Sequence, residues 1–271
     1  MNDNITIGFI GYGNMGGAIG RGVLKKAAAN VVVLDHPSLH RHLSVEGSSQ
    51  PTVMAPADFF KTVRIIFLGT KPATLDAVSG AYRDYIQPHH VIVSMMAGIP
   101  LVRLASAFNT PHIIRMMPNT PAALGVGVTG LYFAPSITPE TRTMVVTLCD
   151  AIGRTVDVQK EDDLHIITAL SGSGPAFFYR IVHAFSRFAS EHGLDSETAL
   201  MAVTNTMMGA GAMLRETPDP MALVAQVASP NGTTQAGLLA MDELTLDVQL
   251  KAVLSAAHKR SIELSKGVNN T

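Results

Sequence analysis

The sequence predicts an α/β protein in two parts: a Rossmann-type parallel sheet domain over residues 1–160, then an all-helical domain over 161–271. Three observations predict it. Apolar runs rich in Ile and Val alternate with helix-like segments through the first part, the rhythm of βαβ units with helices on both faces of a sheet. A glycine-rich turn joins the first run to the first helix. After Lys160 the strand signals stop and only helical periodicity remains.

Taken in order, "ITIGFI" (5–10) is the first strand, and the first helix runs from Asn14 to Ala29. "NVVVLD" (30–35), "RIIFLG" (64–69), "HVIVSMM" (90–96) and "HIIRMM" (112–117) follow as strands, with a helix from Ala73 to Ile86. "GVTGLYF" (127–133) reads as a further strand. A helix from Pro139 to Ile152 and a last strand "TVDV" (155–158) close the domain. In the second part, "PAFFYRIVHAFSRFASEHG" puts Phe177, Ile181, Phe185 and Phe188 on one helical face, and Gly193 stops that helix. "SETALMAVTNTMMGAGAMLRE" is a second helix. Its "GAGA" would weaken an isolated helix, so it predicts close helix–helix contact. Shorter helices follow at 219–227 and 233–243, and a last one at 246–266.

Composition narrows the class. Hydrophobic residues make up 47% and charged residues 15%, which excludes a disordered or supercharged chain. The net charge is −1 and the 20 basic residues form no block, so neither nucleic acid nor an anionic membrane is expected as a partner. The low charge predicts a surface partly covered by another subunit. The single cysteine, Cys149, excludes an intrachain disulfide and reads as a small buried residue. With no cleavable leader and no apolar run of membrane-spanning length, a soluble cytoplasmic protein is the expectation.

"GFIGYGNMGGAIGRG" holds Gly11, Gly13 and Gly16 in G-x-G-x-x-G spacing after a strand and at a helix start. Gly11 allows the tight turn, Gly13 lets a pyrophosphate approach the backbone, and Gly16 lets helix and strand pack. The phosphates then meet free N–H groups at the positive helix end, beside Tyr12, Asn14 and Met15. Asp35 ends the second strand, 24 residues after Gly11, where an acid binds the adenosine ribose hydroxyls and disfavours a 2′-phosphate. That favours NADH over NADPH. The neighbouring His36, His40, Arg41 and His42 could offset the repulsion. The histidine spacing also resembles a metal cluster, but no acid or cysteine completes it, and no metal is expected.

A nucleotide domain followed by helices suggests a dehydrogenase or reductase. "LSGSGP" contains no G-x-S-x-G, so Ser173 is not a nucleophile elbow. The helical part shows no Lys–Asp or His–Glu pair of the kind that takes a proton from a hydroxy acid. It offers two helix starts instead. Ser171 and Ser173 precede Pro175 in "SGSGPAFF", and "SPNGTTQAG" leads into a helix near Thr233. These are either two ordinary caps or an uncharged cradle for a carboxylate.

With these motifs in place, nearly the whole chain resembles the pyrroline-5-carboxylate reductases. The resemblance rests on "GFIGYGNMGGAI", "GTKPATL", "SMMAGIP", "RMMPNTPA", "EDDLHIITALSGSGPAFFY" and "SPNGTTQAGL", in the family's order. It implies hydride transfer from NAD(P)H to the C=N carbon of a cyclic imine, giving L-proline. It implies that Thr234 hydrogen-bonds the ring nitrogen. Gly232 and Thr233, following Asn231, would hold the carboxylate together with Ser171, Gly172, Ser173 and Gly174. Glu161 would match an acid near the substrate's nitrogen. Thr70, Lys71, Pro72, Ala97, Gly98 and Asn119 would line the nicotinamide side. The family's members dimerise through interleaved helical domains, so a homodimer or higher homo-oligomer is implied. Three departures stand out: Asp35 where the family often carries short polar residues or an Arg, Asn231 where Gly is common, and Met95 and Met96 in place of smaller residues. Asn tolerates a positive φ, so the turn at Asn231 is expected to survive.

Two other readings compete. A β-hydroxyacid dehydrogenase would need a lysine on the first long helix after the sheet, where this chain has only Arg180 and Arg187. A non-catalytic NAD(H)-binding redox sensor would keep the glycine turn without needing Thr234 or Glu161.

Overall fold

The computed structural model describes residues 5–26, 29–34 and 51–267. Two compact units emerge. The first is Met1–Ser173 with Ala257–Thr271, and the second is Gly174–Ala256. Residue 160 lies just after the last strand, within the first unit.

The first unit is built on eight strands: β1 (Ile5–Ile10), β2 (Ala29–Leu34), β3 (Thr52–Met54), β4 (Ile65–Leu68), β5 (Val91–Ser94), β6 (Ile113–Met117), β7 (Gly127–Phe133) and β8 (Gly153–Asp157). They form one sheet in the order β3-β2-β1-β4-β5-β6-β7-β8. Every neighbouring pair is parallel except β6 and β7, which are antiparallel, with Arg115 opposite Tyr132. The reason is the short link from Pro118 to Val126, which contains only a 3₁₀ turn at Thr120–Leu124. A parallel return needs a crossover of about a dozen residues or more.

The helices of this unit are α1 (Asn14–Lys26), α2 (Pro56–Thr62), α3 (Leu75–Tyr82), α4 (Leu101–Phe108), α5 (Pro139–Asp150) and α6 (Asp163–Ile167). Strand alternation sorts the core into two layers. Ile7, Phe9, Val31, Val33, Ile65 and Phe67 face one way and pack with Ile19 of α1 and Val145 of α5. Val32, Ile66, Leu68 and Ile92 face the other way and pack with Phe59 of α2 and Leu104 of α4. The β1 position on that second face next to the Phe59 ring is Gly8, where a Cβ would lie 2.4 Å from the ring edge. The short elements β3, α2 and α4 go beyond the sequence reading.

The second unit contains α7 (Gly174–Glu191), α8 (Ser196–Glu216), α9 (Pro220–Val227), α10 (Thr233–Glu243) and the first half of α11 (Leu246–Gly267). The Asp195 carboxylate accepts from the Thr198 N–H at 2.9 Å and starts α8, and Asp219 does the same for α9 through Met221 and Ala222. α7 packs on α8, yet Phe188 stays 63% exposed and Met208 67% exposed. No atom lies within 4 Å of where a Cβ would stand on Gly209 or Gly211, so the contact predicted from "GAGA" is not made within the described residues of this chain.

Candidate active site

The sheet reverses its winding direction at β1, with β2 on one side and β4 on the other. In open α/β sheets the crevice beyond the carboxyl ends of such strands is where ligands bind. Here those ends touch. Gly11 has φ +89°, and a Cβ on it would lie 2.6 Å from the Thr70 methyl and 2.8 Å from the Gly69 carbonyl carbon. A Cβ on Gly16 would lie 2.6 Å from the Gly11 carbonyl oxygen, so α1 presses directly on the turn. Gly13 differs: among the described residues nothing lies within 4 Å of its absent Cβ, which leaves room there for a ligand. The first bond of α1 runs from the Gly17 N–H to the Gly13 carbonyl at 2.7 Å. The N–H groups of Asn14, Met15 and Gly16 therefore have no partner in their own helix. The residues fit a dinucleotide's phosphates.

Tyr12 behaves differently from its neighbours. Its side chain is only 4% exposed and sits edge-on to Phe9 at 5.3 Å. Its hydroxyl occupies the space a side chain at Gly20 would need. Only the main chain of Tyr12 is left to face a ligand. Burial raises the pKa of its phenol, which has no hydrogen-bond partner among the described residues.

The other residues expected on the cofactor side follow the ends of parallel strands along the same edge. Thr70, Lys71 and Pro72 follow β4, and the Thr70 hydroxyl is buried without a partner among the described residues. Ala97 and Gly98 follow β5. Gly98 has φ +76° and packs against Leu264 of α11, 3.4 Å from its absent Cβ. Asn119 follows β6, only 7% exposed. Asp35 and His36 follow β2 and lie outside the described residues, as do His40, Arg41 and His42.

"SGSG" is not a plain cap. Thr168–Gly172 form a π turn that carries α6 toward α7, closed by the Ser173 N–H donating to the Thr168 carbonyl at 2.8 Å. The Ser171 hydroxyl donates back to the Ile167 carbonyl at 3.0 Å. Such turns inside helices recur at functional sites. Their hydrogen-bond shift leaves no mark on composition, which is why the sequence reads as a cap.

Glu161 lies just ahead of α6. Its Oε1 accepts from Nη1 of Arg115 at 2.7 Å and from the Leu101 N–H at 2.6 Å. Sequence reasoning passed over Arg115. The available signal was a lone charge in the apolar strand "HIIRMM": a strand covered on both faces cannot bury an arginine without an anion.

In the second unit, "SPNGTTQAG" forms a tight turn and then α10. Asn231 has φ +59°, as a residue replacing glycine must. Its N–H donates to Oε1 of Gln235 at 2.6 Å, and the Gly232 N–H donates to the Ser229 carbonyl at 3.0 Å. Gly232 is the cap and has no capping side chain, so the N–H groups of Thr233 and Thr234 lack a partner in their helix. No charged side chain stands in this stretch.

Residues 161–264 match the family model described as pyrroline-5-carboxylate reductase dimerisation, and residues 6–98 match that described as NADP oxidoreductase, coenzyme F420-dependent. The pyrroline-5-carboxylate reductase of Staphylococcus haemolyticus is 32% identical to this chain over 274 residues, covering 97% of this chain and 98% of that protein. The chain belongs to the pyrroline-5-carboxylate reductase family. The reductase of Pasteurella multocida is likewise 32% identical, over 96% of this chain and 98% of its own. The solved structure of the Coxiella burnetii pyrroline-5-carboxylate reductase superposes with a TM-score of 0.88 at 27% identity, covering 97% of this chain and 99% of that one.

As a member of this reductase family the chain is an oxidoreductase, with a dinucleotide-binding sheet domain and a helical dimerisation domain. The Cys149 thiol is pushed up to about 12 by complete burial, so it stays protonated and is no nucleophile. Among the described residues, no three His, Cys, Asp or Glu side chains are grouped to hold a metal ion. No described helix is long and apolar enough to cross a membrane.

Proposed function

We propose that this chain reduces the C=N bond of 1-pyrroline-5-carboxylate to L-proline, the last step of proline synthesis, with hydride from NAD(P)H. The observation that carries this reading is its match at 32% identity to reductases of that name along almost the entire chain. The bound nicotinamide supplies the hydride. The chain's own residues bind, orient and exclude water. The Thr234 hydroxyl hydrogen-bonds the ring nitrogen and supports its protonated state by accepting from the iminium N–H. After the turn at Asn231 and Gly232, Thr233 offers its main-chain N–H and hydroxyl to the carboxylate, and the Ser171–Gly174 segment offers the Ser173 hydroxyl. A protonated imine is already an electrophile, so positioning can supply most of the rate without a strong acid or base.

Asp35 puts NADH ahead of NADPH, because an acid at the end of the second strand repels a 2′-phosphate. The match of residues 161–264 to a dimerisation model supports a homo-oligomer, with the homodimer as its smallest form. A single cysteine suits a reducing compartment, the cytoplasm.

The test is absorbance of NADH and of NADPH with pyrroline-5-carboxylate, then with a hydroxy acid. Oxidation of the reduced cofactor with the imine alone, faster with NADH, is the expected result. Turnover of the hydroxy acid instead would replace this reading with a dehydrogenase, and no turnover at all would replace it with a sensor.

A further inference from the structure

We infer that Arg115 and Glu161 are a positioning pair: one ion pair fixes the loop on the nicotinamide side to the segment that leads into the π turn. The inference rests on the reductase reading for what the two segments hold, and on the structure for how they are joined.

Glu161 does the work of a missing cap. α4 begins at Leu101 after Pro100, which has no side chain able to cap it. The Leu101 N–H donates instead to a carboxylate 60 residues away. This helix start is the positive end of a dipole, and the same oxygen takes the Arg115 guanidinium. The Arg115 side chain is 8% exposed and that of Glu161 27% exposed, so the pair is shielded well beyond a surface ion pair.

The three joined elements are the ones that matter. Arg115 stands on β6, two residues before the strand ends and leads into Asn119. Leu101 closes the Ala97–Pro100 loop, whose Gly98 is seated on Leu264. Glu161 opens the stretch that runs through α6 into the π turn. His165 of α6 anchors that stretch again through Ser261 of α11, at 2.8 Å. With Oε1 taken by two donors, Glu161 is tied through that oxygen to protein groups.

The test uses the full-length enzyme with Glu161→Gln, Arg115→Lys and the double variant. It reads kcat and KM for the imine and the NADH dissociation constant by nucleotide fluorescence. We expect each single change to lower kcat about tenfold and to weaken NADH about threefold or more, with imine KM moving less than about threefold. The double variant is expected to be no worse than the poorer single one, since both break one unit. Arg115→Lys is expected to keep more activity than Arg115→Met, because it keeps the charge. Should a single variant fail to fold, the Arg115→Met/Glu161→Met pair removes both charges together and leaves none buried alone. The same losses are expected there. A tenfold rise in imine KM confined to Glu161→Gln, with Arg115→Lys like the parent, would overturn the inference and return Glu161 to the substrate. Parental kcat and NADH affinity in all variants would overturn it as well. If the parent reduces no imine, the reductase reading fails separately, and the NADH dissociation constants still decide the pair.

Discussion

Asn119 holds the Ser171 carbonyl 3.1 Å from its side-chain amide nitrogen. Its amide oxygen accepts the Val128 N–H at 2.9 Å, so the buried side chain bonds through both its nitrogen and its oxygen and joins the end of β6, the start of β7 and the π turn. Asn119→Asp keeps the acceptor and turns the donor into a second oxygen facing a carbonyl. The expected cost is about 1–3 kcal/mol of stability, the range for a buried polar group left unsatisfied. Denaturant midpoints of parent and variant measure it, and an unchanged midpoint would show the bond to Ser171 to be dispensable.

Two glycines of the turn should part company. Gly13→Ala adds a methyl where no atom of the described residues stands, so stability should hold within about 0.5 kcal/mol while cofactor affinity falls about tenfold. Gly16→Ala drives a methyl onto the Gly11 carbonyl and should destabilise the fold itself. Thermal unfolding beside a cofactor titration separates the two. Equal stability losses in both would mean that no ligand surface exists at Gly13.

Thr234→Ala should lower turnover of the imine on the order of 10- to 1000-fold without abolishing it, as loss of one positioned hydroxyl does. Thr234→Ser keeps the hydroxyl and should retain most of the rate. Steady-state kinetics on both variants is the check, and full activity in Thr234→Ala would remove this residue from the chemistry.

His90 is fully buried, and its Nδ1 accepts the Gln87 N–H at 2.8 Å. Its Nε2 therefore carries the proton and donates to the Phe60 carbonyl at 2.9 Å, and the ring does both only when neutral. Burial lowers its pKa, and burial together with the nearby Arg115 guanidinium lowers that of His165. The unfolded chain takes up these protons near pH ~6.5, before the folded one does. Stability should be complete above that pH and should fall as the pH drops below it. Denaturant midpoints at about pH 7.5 and 5.5 test this, and His90→Gln should show a shallower fall. A parent midpoint that rises on acidification would contradict it.

Much of this molecule is legible in its residues. The runs of Ile and Val give β1, β2 and β4 to β6 to within a few residues, because strands buried on both faces must be continuously apolar. The glycines of the turn differ in role because their steric surroundings differ. What escapes is short, directional or distant. β3 is three residues with partly exposed side chains and shows no apolar run. The reversal of β7 is visible only in the length of the link before it. The Arg115–Glu161 bond joins positions 46 apart, and no local pattern reports a partner at that range.

The first unit is threaded from both ends of the chain: residues 257–267 of α11 bring Ser261 to His165 and Leu264 to Gly98. During synthesis, then, the sheet and its helices wait for the final turns of the chain before their packing is complete. Contacts closed across so long an interval form slowly. A fragment ending at residue 160, although it holds every strand, would leave the ribosome lacking all of these partners, and a nascent chain stalled before residue 257 would present an unfinished nucleotide unit to the cell's chaperones.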